Sequence, residues 1–399
     1  MHKVKVGLLT KIIIAIILGI LSSFIFPIPI VKFFVTLNLI FSNFLGFIIP
    51  LIIIGLVAPG IAELGKGAGK LLGITALIAY GSTLFSGFFS YFTTRLTLPL
   101  MIDKSSSLGS LDNLSSDSIA PYFSIDMPPI MGVTSSLVLA FVIGLGLAVV
   151  KGEVIKNVLF EFRNLITVVI SKAIIPILPL YIYGIFLKIA KEGQVSIVLG
   201  LFFKVIIIIF VMHVLLLLFQ YVVAGAVSGK NPFKALLNML PAYMTALGTQ
   251  SSAATIPVTL AQTKKNGVDP EIADFVIPLC ATIHLAGSTL KIVACAYAIM
   301  WMMGMPAGLD IYTGFIFMLG IIMVAAPGVP GGAIMASVGV LQSMLGFDQT
   351  LIGLMIALYI TMDSFGTACN VTGDGAIALV MDKIYSKEMA KSEGEKLNL

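Results

Sequence analysis

Long apolar runs alternate with short polar joints through the first half of the chain. They cover roughly 8–30, 34–58, 70–100, 129–150, 155–187 and 195–228. A helix needs about 20 apolar residues to cross a bilayer, so each run predicts a transmembrane helix, and the longer ones predict tilt. Between the third and fourth runs, Ile102–Met127 is rich in Ser, Asp and Asn and predicts a solvated loop. The second half has a different rhythm. Pro232–Thr263 is mostly apolar, yet its middle reads Gly248-Thr-Gln-Ser-Ser-Ala-Ala-Thr-Ile-Pro257. Lys230 and Lys234 precede it and Lys264 and Lys265 follow, so both ends belong to one face. Each arm of about 14 residues is ~20 Å long as helix, too short to span. The pattern predicts a re-entrant hairpin. It recurs at Ile311–Leu345, centred on Ala325-Ala-Pro-Gly-Val-Pro-Gly-Gly332. Each hairpin precedes a long apolar segment carrying polar residues, Glu271–Met302 and Leu351–Met381. Two such units in opposite orientation form an inverted repeat, a layout of secondary transporters. Non-helical tips at membrane depth are tolerated where they line a cavity. The alternative is two kinked helices bent at their Gly and Pro residues.

The stretch Asp363-Ser-Phe-Gly-Thr-Ala-Cys-Asn-Val-Thr-Gly-Asp374 carries the candidate chemistry. It sets two carboxylates, two threonines and an asparagine inside the apolar segment 351–380. Each aspartate near the bilayer centre costs about 2.5–3.5 kcal/mol on insertion scales. Asp363, Thr367, Asn370 and Asp374 follow at spacings of four, three and four, so they share one helix face. That face offers oxygen ligands for a hard cation such as sodium or calcium, and an acceptor for an ammonium group. Helix packing alone is served by uncharged polar residues.

Composition excludes a soluble domain. The 399 residues are 58% hydrophobic and 11% charged, with mean hydropathy +1.08. The chain is a polytopic membrane protein. The run Ile12–Phe26 after Lys3, Lys5 and Lys11 lacks a small-residue cleavage site, and it predicts a first transmembrane helix rather than a signal peptide. The net charge of +5 needs no nucleic acid, since the lysines cluster at helix ends. Lys3, Lys5, Lys66, Lys70, Lys151, Lys156, Lys230, Lys234, Lys264, Lys265 and the tail from Lys383 mark the cytoplasmic side, with both termini there. Lys188 and Lys191 break the pattern. Cys280, Cys295 and Cys369 lie in apolar spans and read as reduced packing residues.

These segments and motifs resemble the glutamate transporter family, the dicarboxylate/amino acid:cation symporters, over the whole chain. Ser251-Ser-Ala-Ala-Thr-Ile-Pro257 is similar to the tip of the family's first hairpin, and Gly328-Val-Pro-Gly331 to the tip of its second. Asn370-Val-Thr-Gly-Asp374 resembles its last helix, and Pro278-Leu-Cys-Ala-Thr-Ile-His284 the start of its seventh. The resemblance implies an all-α polytopic fold of eight transmembrane helices plus two re-entrant hairpins, working as an elevator within a homotrimer in the cytoplasmic membrane. Scaffold helices would occupy 1–69 and 129–194, with an extracellular loop at 102–128. The transport domain would take 70–101 and 195–382, including hairpin 231–264, helix seven 271–302, hairpin 308–345 and helix eight 348–382, before a cytoplasmic tail at 383–399. It further implies that Asp363 takes a substrate's α-amino group and that Asn370, Ser252 and the backbone at Val329 hold its α-carboxylate, with Ser251, Ser288 and Thr367 around them. Asp374 and Asn370, with backbone oxygen near Cys280, would bind one sodium ion. Thr282 with carbonyls from Met323 to Ala326 would bind a second, and Tyr80 and Thr83 match part of a third site.

Three departures bear on function. The family's Asn-Met-Asp-Gly-Thr reads His284-Leu-Ala-Gly-Ser288, which removes two oxygen ligands of the third sodium site. His284 is either a neutral hydrogen-bonding substitute or a proton site. Gly366 stands where carriers of acidic amino acids hold an arginine, which favours an alanine-, serine- or threonine-like substrate. Lys291, seven residues after His284, either supplies the missing positive charge for an acidic amino acid or C4 dicarboxylate, or snorkels outward. An intramembrane aspartyl protease needs two carboxylates sharing a proton, whereas Asp363 and Asp374 stand about 16 Å apart by helix rise. An ion channel needs a continuous pore rather than paired gates. The expectation is a sodium-coupled symporter that is not an enzyme, with no cofactor, whose partners are a small substrate, sodium and lipid.

Overall fold

The computed structural model describes residues 7–64, 70–101, 119–150 and 153–397. Most of the predicted serine-rich loop, together with Lys3, Lys5, Lys66 and Lys151, lies outside the described residues. All regular structure among the described residues is helical. The first part holds α1 (Leu8–Ile25), α2 (Ile28–Leu64), α3 (Lys70–Met101), α4 (Val133–Val149), α5 (Glu153–Val169), α6 (Ile175–Lys191) and α7 (Val195–Ser228). A π-helical turn, Ile170–Ile174, joins α5 to α6. The second part holds α8 (Pro232–Asn238), α9 (Leu240–Thr249) and α10 (Ser252–Lys265), then α11 (Pro270–Ile283) and α12 (Ala286–Met302). It closes with α13 (Leu309–Ala325), α14 (Gly332–Leu345), α15 (Gln349–Thr361) and α16 (Asp363–Leu397). Helix therefore continues through most of the segment read as a tail.

Among the described residues six helices are long and apolar enough to cross a membrane, counting 153–191 and 270–302 as one each, and the bent pair α15–α16, taken as one span, makes a seventh. α4 is apolar but shorter, at 17 residues. The outward faces are as apolar as the interior: Ile17, Leu21 and Phe24 on α1 and Phe203, Phe210 and Val211 on α7 are exposed. Such a surface is stable against lipid and not against water. The joint between the first two helices falls at Phe26-Pro27, several residues before the gap in the apolar pattern, because proline starts a helix more readily than it continues one.

The helices sort into two packed groups. α1 lies on α6, and α2 on α4, α5 and α6. α3 lies on α12 and α13, while α16 is surrounded by α7, α9, α10, α11 and α12. α2 touches both arms of the second hairpin, and α15 bridges to α1 and α6. Lys191, one of the two lysines at odds with the charge pattern, has a local task. Its ammonium donates to the carbonyls of Ser23 and Phe26 at the end of α1, both at 2.9 Å, where the helix leaves acceptors free. Lys188 pairs with Glu192 at 3.9 Å.

α12 is the centre of the second group, with every residue from Ala286 to Met300 buried. Close approach to α16 is set by Gly287, where an added Cβ would lie 2.7 Å from both the Gly366 carbonyl oxygen and Cys369 Cβ. Gly287→Ala should therefore overpack this contact by about 1–3 kcal/mol and lower the thermal unfolding midpoint in detergent. Gly73→Ala on α3, with nothing within 4 Å, should not.

Candidate functional site

Four interruptions in helical structure meet inside the second group. α11 and α12 are parted at His284-Leu285, both in non-helical conformations. α15 and α16 are parted at Met362 with a bend of 61°. The hairpin tips, Gln250-Ser251 and Ala326–Gly331, complete the set. Gln250 turns the first tip in the left-handed region at φ 53°, the one non-glycine residue with positive φ among the described residues. Its side chain donates to Ser364 Oγ at 2.9 Å. Ser251 Oγ accepts from Ala254 N–H at 3.3 Å, capping α10, and donates to the Gly328 carbonyl at 2.8 Å, joining the two tips.

The predicted polar face of α16 is present and buried: Asp363, Thr367, Asn370 and Asp374 are each less than a tenth exposed. Their partners were not legible in the sequence. Asn370 Oδ1 accepts the Gly287 and Ser288 N–H groups at 2.8 and 3.3 Å, and its Nδ2 donates to Ser288 Oγ at 3.0 Å. Asn370 thus caps the broken end of α12 from another helix, leaving one amide hydrogen for a ligand. Thr367 Oγ1 bonds the Asp363 carbonyl at 3.0 Å. Ser86, Ser90 and His213 donate further bonds to the carbonyls of Ala286, Leu290 and Gly287 in the first part of α12.

Asp363 is the first residue of α16, where the helix dipole favours an anion. Its Oδ1 lies 3.1 Å from Lys291 Nζ, and its Oδ2 accepts the Gly331 N–H of the second tip at 2.8 Å. Lys291 is wholly buried, so it does not snorkel. Its ammonium also donates to the Met362 carbonyl at 3.2 Å and sits 3.6 Å from the centre of the Tyr359 ring. The lysine stem lies over Gly366 and fills the space a side chain there would need.

Around Asp374 a chain of hydrogen bonds runs through three helices. Gln220 Nε2 donates to Ser82 Oγ at 3.0 Å, Ser82 Oγ and His284 Nε2 are 3.1 Å apart, and His284 Nδ1 is 2.9 Å from Asp374 Oδ1. Ser82 Oγ can accept from Gln220 and donate to Nε2, and that pattern fits an imidazole that donates from Nδ1 to Asp374. Asp374 Oδ2 and Gln220 Oε1 are buried with no hydrogen-bond partner among the described residues. Ser82 and Gln220 are the residues sequence reading missed, since it picked the neighbours Tyr80 and Thr83. Thr83 bonds its own helix at the Ala79 carbonyl, and Tyr80 reaches the Phe317 carbonyl at 3.3 Å. Neither meets Asp374 or Asn370 in a hydrogen bond among the described residues.

The remaining predicted ligands are placed as follows. Ser252 begins α10 and is buried. The Val329 N–H is engaged by the Pro327 carbonyl at 2.8 Å, the Cys280 carbonyl accepts the His284 N–H at 2.8 Å, and the Met323 carbonyl accepts the Ala326 N–H at 3.4 Å. Thr282 bonds the Leu279 carbonyl at 2.7 Å. It lines a cavity of about 480 Å³ with Ala326, Gly328, Gly60 and Arg163, between the two helix groups. Among the described residues no three His, Cys, Asp or Glu side chains gather as a transition-metal site requires.

Broken helices whose freed backbone groups and buried charges converge under two hairpin tips define a membrane carrier rather than a hydrolase. Asp363 and Asp374 face different partners and share no proton. The sequence model of the sodium:dicarboxylate symporter family matches residues 8–384, and the chain belongs to that family. It is a transporter, not an enzyme. A serine/threonine transporter of Acinetobacter baumannii (strain AYE) is 26% identical over 391 residues, covering 95% of this chain and 97% of that one. Its counterpart in Acinetobacter baylyi is 27% identical over 396 residues, covering 95% and 98%. Excitatory amino acid transporter 3 of mouse is 36% identical over 169 residues, 41% of this chain and 31% of that one.

Asn370→Ala strands two buried N–H groups at the start of α12, at about 1–3 kcal/mol each. It should lower the unfolding midpoint of the substrate-free protein. Ser288→Ala, which removes the acceptor of Asn370 Nδ2 and strands no backbone N–H, should cost less in the same thermal melt.

Proposed function

We propose that the protein is a sodium-coupled symporter that brings a small amino acid into the cell by an elevator movement. The observation that carries this reading is Asp374. It is fully buried, and among the described residues its hydrogen-bond partner is an imidazole whose bonding fits the neutral form and one carboxylate oxygen has no partner. A buried carboxylate without a compensating charge is strongly unfavourable, so the site calls for a cation. Oxygen atoms of Asp374 and the carbonyls of the broken helices suit sodium by hardness. Asp374, Asn370 and carbonyl oxygen near Cys280 form the first sodium site on this reading. Thr282 with carbonyls from Met323 to Ala326 forms the second, beside the cavity between the helix groups.

The substrate lies on the Asp363 end of the same face, under the tips joined by Ser251 and Gly328. Sodium at Asp374 offsets its charge and braces Asn370, which in turn holds the break beside the substrate. Closure of the second hairpin over both ligands then permits the transport domain, 70–101 and 195–382, to move against the scaffold. The two packed helix groups support that division. Eight spans with two re-entrant hairpins, a homotrimer and cytoplasmic termini complete the proposal. His284 stands as a neutral relay in place of the family's asparagine.

Asp374→Asn should abolish sodium-driven uptake in proteoliposomes while leaving assembly intact on size-exclusion chromatography; normal sodium dependence in that variant would remove the assigned site. With Ala286 and neutral His284 in place of two ligands, fewer than about three sodium ions should move per cycle, as read from reversal potentials.

A further inference from the structure

Lys291 is a charge that the symport reading leaves unassigned. Its surroundings are built for it. The ammonium has three hydrogens and three recipients: Asp363 Oδ1 at 3.1 Å, the Met362 carbonyl at 3.2 Å and the Tyr359 ring face at 3.6 Å. The stem lies across Gly366, which has no side chain to obstruct it. The same carboxylate holds the second hairpin, because Asp363 Oδ2 accepts from Gly331 N–H at 2.8 Å. The acceptor for a substrate ammonium is thus already engaged by an ammonium from the chain itself.

Resting on the symport reading, we infer that Lys291 stands in for the substrate's α-ammonium in the empty carrier, and that substrate binding passes Lys291 to a second carboxylate, so that the substrate is an acidic amino acid. The charges decide between classes. With its α-carboxylate held by Asn370 and Ser252, as the family resemblance implies, a neutral amino acid places its ammonium and that of Lys291 in competition for Asp363, leaving one buried cation short of a partner. A diacid without an amine leaves the Lys291–Asp363 pair intact and brings a second carboxylate with no cation to meet it. An acidic amino acid satisfies both groups. Its α-ammonium takes Asp363, and its side-chain carboxylate takes the released Lys291 ammonium a few ångströms away. No covalent bond changes and no proton is transferred. The lysine moves by rotation of its own stem, for which the glycine at 366 leaves room.

The test is competition in proteoliposomes with an inward sodium gradient, using L-aspartate, L-serine and succinate against the full-length protein. Wild type should take up aspartate in preference to the other two. Lys291→Met, which keeps the stem volume, should lower the aspartate-to-serine ratio by about 100-fold, the scale of leaving a buried charge unpaired. Gly366→Ala should lower the ratio in the same direction, because the new methyl displaces the lysine's flexible end. A thermal-melt cycle on the substrate-free protein reads the resting pair separately from transport. Lys291→Met and Asp363→Asn should each destabilise, and the double variant should recover part of the loss. Preference of wild type for serine, preference for succinate, or a ratio unmoved by Lys291→Met overturns the inference while sodium-driven uptake still upholds symport. Absence of sodium-driven uptake of all three overturns the symport reading and the inference with it.

Discussion

A helix interrupted inside a membrane protein must find partners for the backbone groups it frees, because no water is at hand to supply them. That constraint organises the whole second group of helices. The N–H groups freed by the break before α12 are met by Asn370 from α16. At the break before α16 the Met362 carbonyl takes the Gly366 N–H and, in addition, the Lys291 ammonium from α12. Each broken helix thus receives a polar contact from the other. The repair is made by side chains that can also hold a ligand, which is why binding and architecture cannot be separated here.

The tips are subject to the same rule. Ser251 satisfies a carbonyl of the opposite hairpin, and Asp363 satisfies the Gly331 amide. A hairpin that opens must find other partners for these groups. The closed arrangement is held by a few hydrogen bonds to side chains rather than by a large apolar contact. It is poised so that a ligand's own polar groups can replace them.

Much of this was legible in the sequence, for identifiable reasons. Apolar run length marked the long helices, and polar, Gly- and Pro-rich centres marked the turns at Gln250-Ser251 and Ala326–Gly331. A spacing of four, three and four put Asp363, Thr367, Asn370 and Asp374 on one face. The break at Met362 was not legible, because Tyr359-Ile-Thr-Met362 contains neither glycine nor proline. Its one signal was Asp363 itself, an acid suited to the first turn of a new helix. Ser82 and Gln220 escaped notice because hydroxyls and amides are common in spans, and only tertiary contact shows which one turns inward. The direction of Lys291 lay beyond any pattern along the chain. It depends on the empty space above Gly366, a feature of two helices together.

That shared space also constrains how this chain could change over generations. Position 366 and the lysine at 291 draw on one volume, so a side chain at the first and the present placement of the second exclude each other. A lineage that moved its buried cation from one helix to the other would have to cross an intermediate with two cations crowded together or with none. The crowded route is barred by sterics and repulsion at once. The vacant route leaves a carboxylate exposed to its own apolar surroundings, and it is open where a solute's ammonium is always at hand to cover it. The two placements of the cation are therefore alternatives that a chain exchanges together rather than one residue at a time.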